Sequence, residues 1–242
     1  MNLVIDVGNT LVKLGVFDLG KLIYRKSIEK EKFLNTLSEI SITHPHILKA
    51  IASSVGKLSE KQISRLKQLY PTIILDHTTK VPFTNKYATP NTLGVDRIAL
   101  ISASATQYSN KNVLVIDAGT AITYDFLSSN NEYLGGAISP GILLRYKSLH
   151  NYTAKLPLLE TETPKDFIGS TTKNSLHSGV VNGVIHEIDG FIDAYKNKFT
   201  DLTVILTGGD AHFLRDSIKN DIFANQNFLL EGLNHILDYN TH

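Results

Sequence analysis

The chain has 242 residues, 42% of them hydrophobic and 19% charged, which is typical of a soluble globular protein with one large domain or two ordinary ones. The formal net charge is +1, so bulk charge gives no reason to expect nucleic acid or a membrane surface as a partner. Cysteine is absent, and the sequence shows neither a signal peptide nor an apolar run near the ~18 residues of a membrane span. We therefore expect a cytoplasmic protein without disulfides, thiolate catalysis or cysteine-ligated zinc.

The chain begins with the apolar run Leu3-Val4-Ile5, which ends in Asp6-Val7-Gly8-Asn9-Thr10. The β-branched run predicts a buried strand, the Asp and Gly predict a tight turn, and Leu11 to Phe17 predicts a returning hairpin partner. Later apolar spacings predict strands over Lys21–Lys26, Ile47–Ser53 and Thr72–Leu75, and helices over Lys30–Ile40, Ser59–Leu69 and Leu93–Tyr108. Two prolines make His77 to Thr92 a long loop of the kind that is often functional.

The second half of the chain restarts with the same tetrapeptide, since Leu114-Val115-Ile116-Asp117 repeats Leu-Val-Ile-Asp and Gly119-Thr120 follows it. A return strand follows, through Ile122, Tyr124 and Phe126. The remaining predictions are strands over Tyr133–Ile138 and Leu202–Leu206, a long amphipathic helix over Lys173–Lys198 and a helix over Phe228–Tyr239.

The repeated unit predicts an α/β protein built from two similar half-domains, 1–110 and 111–242, with mixed sheets flanked by helices. One Asp-x-Gly-x-Thr turn is ordinary turn chemistry, whereas two copies on identical strands favour a phosphate role. Backbone N–H groups and a Thr hydroxyl bind phosphate oxygens, and the carboxylate binds the cation that accompanies them. We expect the two halves to face each other across a nucleotide.

Other residues allow two interpretations. Asp96 in Leu93-Gly94-Val95-Asp96-Arg97 is either an acid favoured by the first turn of a helix or a general base. The hydroxyls of Gly169-Ser170-Thr171-Thr172 are either helix caps or ligand contacts. The glycines at 135, 136, 141, 208 and 209 indicate either close packing or an approach for ligand, and Gly179 with Gly183 either helix packing or room for a substrate. The nine histidines show no metal-ligand spacing.

Taken together, these residues resemble the type III pantothenate kinases, which belong to the actin, sugar kinase and Hsp70 class of nucleotide-binding folds. The resemblance extends over nearly the whole chain and has Gly94-Val95-Asp96-Arg97 and Gly135-Gly136-Ala137-Ile138-Ser139-Pro140-Gly141 as its specific motifs. The turns at Asp6 and Asp117 and the segment Leu206-Thr207-Gly208-Gly209-Asp210 complete the pattern in order. Val95 stands where a small Ala is common in the family.

The resemblance implies a role for each matching position. The ATP phosphate loop would consist of Asp6, Val7, Gly8, Asn9, Thr10, Leu11, Val12 and Lys13, and Thr120 would also contact ATP. Asp96 would be the proton acceptor, and the pantothenate contacts would be Tyr87, Gly94, Val95, Asp96, Arg97 and Thr172. Asp117 would bind the monovalent cation.

The implied activity is ATP-dependent phosphorylation of pantothenate to 4'-phosphopantothenate, the first step of coenzyme A biosynthesis. The implied cofactors are K⁺ or NH₄⁺ and the Mg²⁺ that accompanies ATP, and the implied assembly is a homodimer. Two alternatives are a kinase of the same fold for another small hydroxylated substrate, and a non-enzymatic regulator or scaffold that keeps the fold. Retention of Asp6, Asp96 and Asp117 argues against the second alternative.

Overall fold

The structure is a computed structural model of the chain, and it describes residues 1–53 and 58–241. These residues form two compact units. The first unit consists of the described residues within Met1–Ser109, Asn131–Tyr133 and Asn227–His242, and the second consists of Asn110–Asn130 and Leu134–Gln226. The terminal residue, 242, lies outside the described residues.

The first unit contains a five-stranded mixed sheet in the order β3-β2-β1-β4-β5. Its strands are β1 (Asn2–Val7), β2 (Val12–Asp18), β3 (Lys21–Ile28), β4 (Lys49–Ser53) and β5 (Thr72–Ile74). Strand β1 is antiparallel to β2 and parallel to β4, and β4 is parallel to β5. A two-residue strand, β6 (Thr84–Asn85), pairs in parallel with Glu132 and Tyr133 of the same unit.

Helices cover this sheet because its central strands are apolar on both faces. The helices of this unit are α1 (Phe33–Thr43), α2 (Glu60–Leu69), α3 (Val95–Gln107) and the C-terminal Phe228–Tyr239. Helices α1 and α2 bury Phe33, Leu37 and Leu66 in one core with Leu3 and Ile5 of β1. Local hydrogen bonds fix the start of α2, because Ser59 forms a capping box with Gln62 there.

The second unit repeats the arrangement. Its strands are β7 (Asn112–Ala118), β8 (Ala121–Leu127), β9 (Glu132–Pro140), whose first two residues belong to the first unit, β10 (Leu202–Thr207) and β11 (Phe223–Ala224). The order β9-β8-β7-β10-β11 matches β3-β2-β1-β4-β5 position by position. Strand β7 is antiparallel to β8 and parallel to β10, as β1 is to β2 and β4. The duplication predicted from the tetrapeptide is therefore confirmed in the sheet order.

The helices of the second unit are α4 (Ile142–Asn151), α5 (Thr172–His177), α6 (Gly183–Lys198) and α7 (Ala211–Leu214), so the C-terminal helix of the first unit is α8. A single π-helical turn, Ser178–Asn182, joins α5 to α6. The core of this unit contains Ile142 of α4 and Val184 and Ile188 of α6, together with Leu114 and Ile116 of β7.

Two differences from the sequence prediction concern helices. The predicted helix over Lys173–Lys198 is interrupted by the π-helical turn, where Asn182 Nδ2 donates to Ser178 Oγ over 3.1 Å and Ser178 Oγ donates to the Phe167 carbonyl. Helix α8, placed by sequence in the half-domain 111–242, belongs to the first compact unit. The physical reason is that Gly232 lies against the Ala99 carbonyl of α3, and Asn2 of β1 donates to Asn234 and Asp238.

Candidate active site

The first repeated turn connects β1 to β2. Gly8 N–H donates to the Leu11 carbonyl over 3.0 Å, which closes the turn and leaves Asn9 and Thr10 exposed. Asp6 is only 6% exposed, and the Ser53 hydroxyl of the parallel neighbour β4 donates to its Oδ1 over 2.9 Å. The predicted phosphate loop, residues 6–13, therefore forms one continuous hairpin turn in the first unit.

The second repeated turn connects β7 to β8 and is shorter, because only Gly119 and Thr120 lie between these strands, whereas residues 8–11 lie between β1 and β2. Gly119 N–H donates to the Ala121 carbonyl over 3.1 Å, and Asp117 is half-buried at the end of the strand. Gly208, just after β10, has φ +98°, and a Cβ there would lie 2.4 Å from Asp117 Oδ1. Close packing against Asp117 and the Ala118 backbone, together with the positive φ, therefore explains the glycine at this position.

A second oxygen group lies on the strand that pairs with Asp117. Thr123 is the cross-strand partner of Asp117, and its Oγ1 is buried without a hydrogen-bond partner among the described residues. A carboxylate and a hydroxyl oxygen are the donors that hard cations prefer. The described residues contain no group of three or more His, Cys, Asp or Glu side chains that could hold a metal ion by themselves.

The Gly-x-Asp-Arg segment lies at the start of α3. Gly94 is the N-cap residue, and a Cβ on it would lie 2.3 Å from Asp96 Oδ1, so a larger residue would displace this carboxylate. Arg97 N–H donates to Asp96 Oδ1 over 2.9 Å, and the helix N-terminus favours a negative charge here. Val95 is half-buried beside them.

An aromatic pair completes this cluster. The Arg97 guanidinium carbon lies 5.6 Å from the centre of the Tyr87 ring, and Tyr87 stacks on Tyr133 with centroids 5.9 Å apart. The structure thus brings together five of the six predicted pantothenate residues in one unit: Tyr87, Gly94, Val95, Asp96 and Arg97. Sequence reasoning missed Tyr133, because a tyrosine at the start of a strand gives no indication of which distant ring it stacks on.

Thr172 is the first residue of α5 in the second unit, and it lines a pocket of about 630 Å³. The cap of this helix is Thr171, whose hydroxyl accepts from Asn174 N–H over 3.2 Å, so the capping interpretation is confirmed for Thr171. The hydroxyl of Thr172 is not used in this cap. Leucines form the apolar wall of the pocket, with hydroxyl groups around them: Leu149, Leu156, Leu176, Ser170, Thr171, Thr172 and Ser175.

The glycines that the sequence leaves open to two interpretations have different surroundings in the structure. A Cβ at Gly141 would lie 2.0 Å from the Gly119 carbonyl oxygen, so close packing explains this position. At Gly179 and Gly183 an added Cβ would meet no atom of the described residues within 4 Å, so packing against these residues does not explain the two glycines.

No described helix is long and apolar enough to cross a membrane.

Comparisons with solved structures identify the fold. A Campylobacter jejuni protein provisionally named as a Baf family transcriptional activator aligns over 98% of both chains, with a TM-score of 0.65 and 24% identity. A glucokinase from an Antarctic psychrotroph aligns over 98% of both chains, with a TM-score of 0.54 and 14% identity. These likenesses, together with the two mixed sheets, show the actin-like α/β fold.

Sequence comparisons identify the family. The type III pantothenate kinase of Christiangramia forsetii is 49% identical over 99% of both chains. The type III pantothenate kinase of Bacteroides fragilis strain YCH46 is 41% identical over 99% of this chain and 98% of its own. A family model described as type III pantothenate kinase matches residues 2–194. The chain therefore belongs to the type III pantothenate kinase family, whose reaction is ATP-dependent phosphorylation of pantothenate.

Proposed function

We propose that Asp96 is the proton acceptor for the substrate hydroxyl in this reaction. The observation that carries the proposal is the cluster at the start of α3, where Asp96 lies at a helix N-terminus and accepts the Arg97 N–H. A carboxylate is the type of side chain that accepts the proton of a hydroxyl in general base catalysis. Arg97 and Tyr87 lie beside it as contacts for pantothenate, together with Gly94 and Val95.

We propose that the turn formed by residues 6–13 binds the ATP phosphates through its backbone N–H groups, the Thr10 hydroxyl and Lys13. Asp6 is placed to hold Mg²⁺ directly or through water, since this ion binds one or two carboxylates and keeps several waters. Thr120 supplies a further contact for ATP. Phosphoryl transfer depends mainly on positioning and neutralisation of charge, which these groups provide.

We propose that Asp117 binds a monovalent cation, K⁺ or NH₄⁺. The support is the half-buried carboxylate of Asp117 near the end of β7 and the buried hydroxyl of Thr123, its cross-strand partner. A bound cation would supply positive charge near the polyphosphate, and Asp117 would fix its position.

We propose that the protein acts as a cytoplasmic homodimer and that Thr172 contacts pantothenate. Large apolar side chains of the second unit are exposed, with Phe167 at 70% and Ile168 at 78%. Gly179 and Gly183 lie on the neighbouring helical segment without contacts to an added Cβ. Burial of such a surface between two copies is the commonest solution for a soluble oligomer.

The variant Asp96→Asn tests the base assignment. It keeps the size of the side chain and an oxygen that accepts the Arg97 N–H, but it removes the basic group. We expect kcat to fall by roughly 10²-fold to 10⁴-fold, while the KM for pantothenate and the melting temperature stay near the wild-type values.

Asp76→Asn is the matched control. Asp76 is an exposed carboxylate that accepts hydrogen bonds from Thr78 and Thr79 in the same unit, and its loss should leave kcat unchanged. A near wild-type kcat in Asp96→Asn would refute the assignment of Asp96 as the base.

A further inference from the structure

Glu187 of α6 is a partly buried carboxylate with three donors. The Tyr124 hydroxyl and the Ser139 hydroxyl donate to its Oε1 over 2.9 and 2.5 Å, and Arg145 Nη2 donates to its Oε2 over 2.5 Å. Burial raises the pKa of Glu187, but the hydrogen bonds from Arg145, Ser139 and Tyr124 outweigh it, so its pKa lies below the usual value. Glu187 is therefore ionised at neutral pH.

Arg145 of α4 connects this carboxylate to the backbone of the Gly-rich segment. Its Nε donates to the Pro140 carbonyl over 2.8 Å, while Nη2 of the same guanidinium donates to Glu187. Its backbone N–H donates to the Gly141 carbonyl over 3.0 Å. The planar guanidinium holds two partners in a fixed relative position, which a lysine does not do.

Gly141 in turn contacts the second repeated turn. Its N–H donates to the Thr120 carbonyl over 3.1 Å, and a Cβ on it would lie 2.0 Å from the Gly119 carbonyl oxygen. The backbones are in such close contact that a shift of Pro140 and Gly141 must move the turn that carries Thr120.

We propose that Arg145 and Glu187 are positioning residues that hold the Thr120 turn in the geometry that binds ATP. This proposal rests on the assignment of Thr120 as an ATP contact. The competing interpretation is that the ion pair between Arg145 and Glu187 only stabilises the packing of α4 and α6 on strand β9. A purely structural role would change the melting temperature without a selective effect on nucleotide binding.

The test measures the Kd of a non-hydrolysable ATP analogue with Mg²⁺ by calorimetry, together with KM for each substrate. The variants are Glu187→Gln and Arg145→Lys, the second of which keeps the positive charge. We expect both to weaken analogue binding and raise the KM for ATP by roughly 10-fold to 100-fold, with a much smaller change in the KM for pantothenate. When either variant is combined with Thr120→Ala, the loss of binding free energy for the analogue should be smaller than the sum of the two single losses. The reason is that both changes act on the same contact.

Asp193→Asn is the matched control, because Asp193 lies on the same helix and accepts a hydrogen bond from Asn220 instead. It should leave analogue binding unchanged. If Thr120→Ala weakens binding while Glu187→Gln and Arg145→Lys do not, the positioning role is wrong and the ATP assignment stands. If Thr120→Ala leaves binding unchanged, the ATP assignment fails and the positioning role fails with it.

Discussion

At the scale of single residues, the two strand-end aspartates have different surroundings. Asp6 is 6% exposed and accepts from the Ser53 hydroxyl, whereas Asp117 is half-buried beside Gly208 and opposite Thr123. The Thr123 hydroxyl beside Asp117 is an uncharged oxygen donor, and one carboxylate with uncharged donors suits a monovalent cation. The different surroundings agree with the different roles proposed for the two carboxylates.

Activity should depend on the monovalent cation through Asp117. We expect low activity in sodium-only or Tris buffer and a rise of at least about tenfold when potassium is added at fixed ionic strength. Asp117→Asn should remove the potassium response, because the amide lacks the negative charge that binds the cation. Steady-state rates of both proteins in the two buffers measure this, and equal wild-type rates in both would contradict the cation role.

Several site residues follow from sequence at this scale, and others do not. Asp6, Asp117 and the turn residues can be predicted because a local repeat carries them. Glu187 gives no indication of its role, because its partners Tyr124, Ser139 and Arg145 are 63, 48 and 42 positions away. Such contacts depend on the register of the sheet and the rotation of the helix, which a single sequence does not specify.

At the scale of elements, apolar spacing predicts the main strands and several of the helices, but not the interruption of the long helix predicted over Lys173–Lys198. Helix α8 has the predicted bounds, Phe228–Tyr239, because its apolar face is continuous. The π-helical turn at Ser178–Asn182 does not follow from the apolar spacing, since Ser178 there binds the Phe167 carbonyl of the preceding loop. The sequence also does not show that α8 belongs to the first unit, because the helix packs there against α3 and the first sheet, which are distant in sequence.

The packing of α8 on α3 makes Gly232→Ala a test of this element. An added Cβ would lie 1.9 Å from the Ala99 carbonyl oxygen, so the helices must separate. We expect the free energy of unfolding, measured by urea denaturation, to fall by about 1–3 kcal/mol or more.

Gly190→Ala is the control for helix propensity. Gly190 is exposed in α6, and an added Cβ there would meet nothing within 4 Å. The free energy of unfolding of this variant should rise by about 0.5–1 kcal/mol, because alanine is the better helix former. Equal stability changes in the two variants would argue against close packing of α8 on α3.

At the scale of the whole molecule, the proposed homodimer predicts that association and activity change together. Gly183→Glu places a charge on the helix that follows the Thr172 segment, at a position where an added Cβ meets no atom of the described part of the chain within 4 Å. We expect a lower dimer fraction by light scattering and lower activity at the same concentration, because burial of an unpaired charge in an interface is costly.

The control adds the same charge elsewhere. Ser64 is exposed on α2 of the first unit, and Ser64→Glu should leave both association and activity unchanged. A wild-type protein that is monomeric by light scattering and fully active at the assay concentration would exclude a functional requirement for the dimer.

The reaction of the family predicts that this chain transfers a phosphoryl group from ATP to pantothenate. The direct measurement is the rate of ADP release by the purified protein with Mg²⁺, ATP and potassium, with and without pantothenate, and with detection of the phosphorylated product. We expect pantothenate-dependent ADP release in equal molar amounts with 4'-phosphopantothenate. ADP release that does not respond to pantothenate, or no release under any of these conditions, would contradict it.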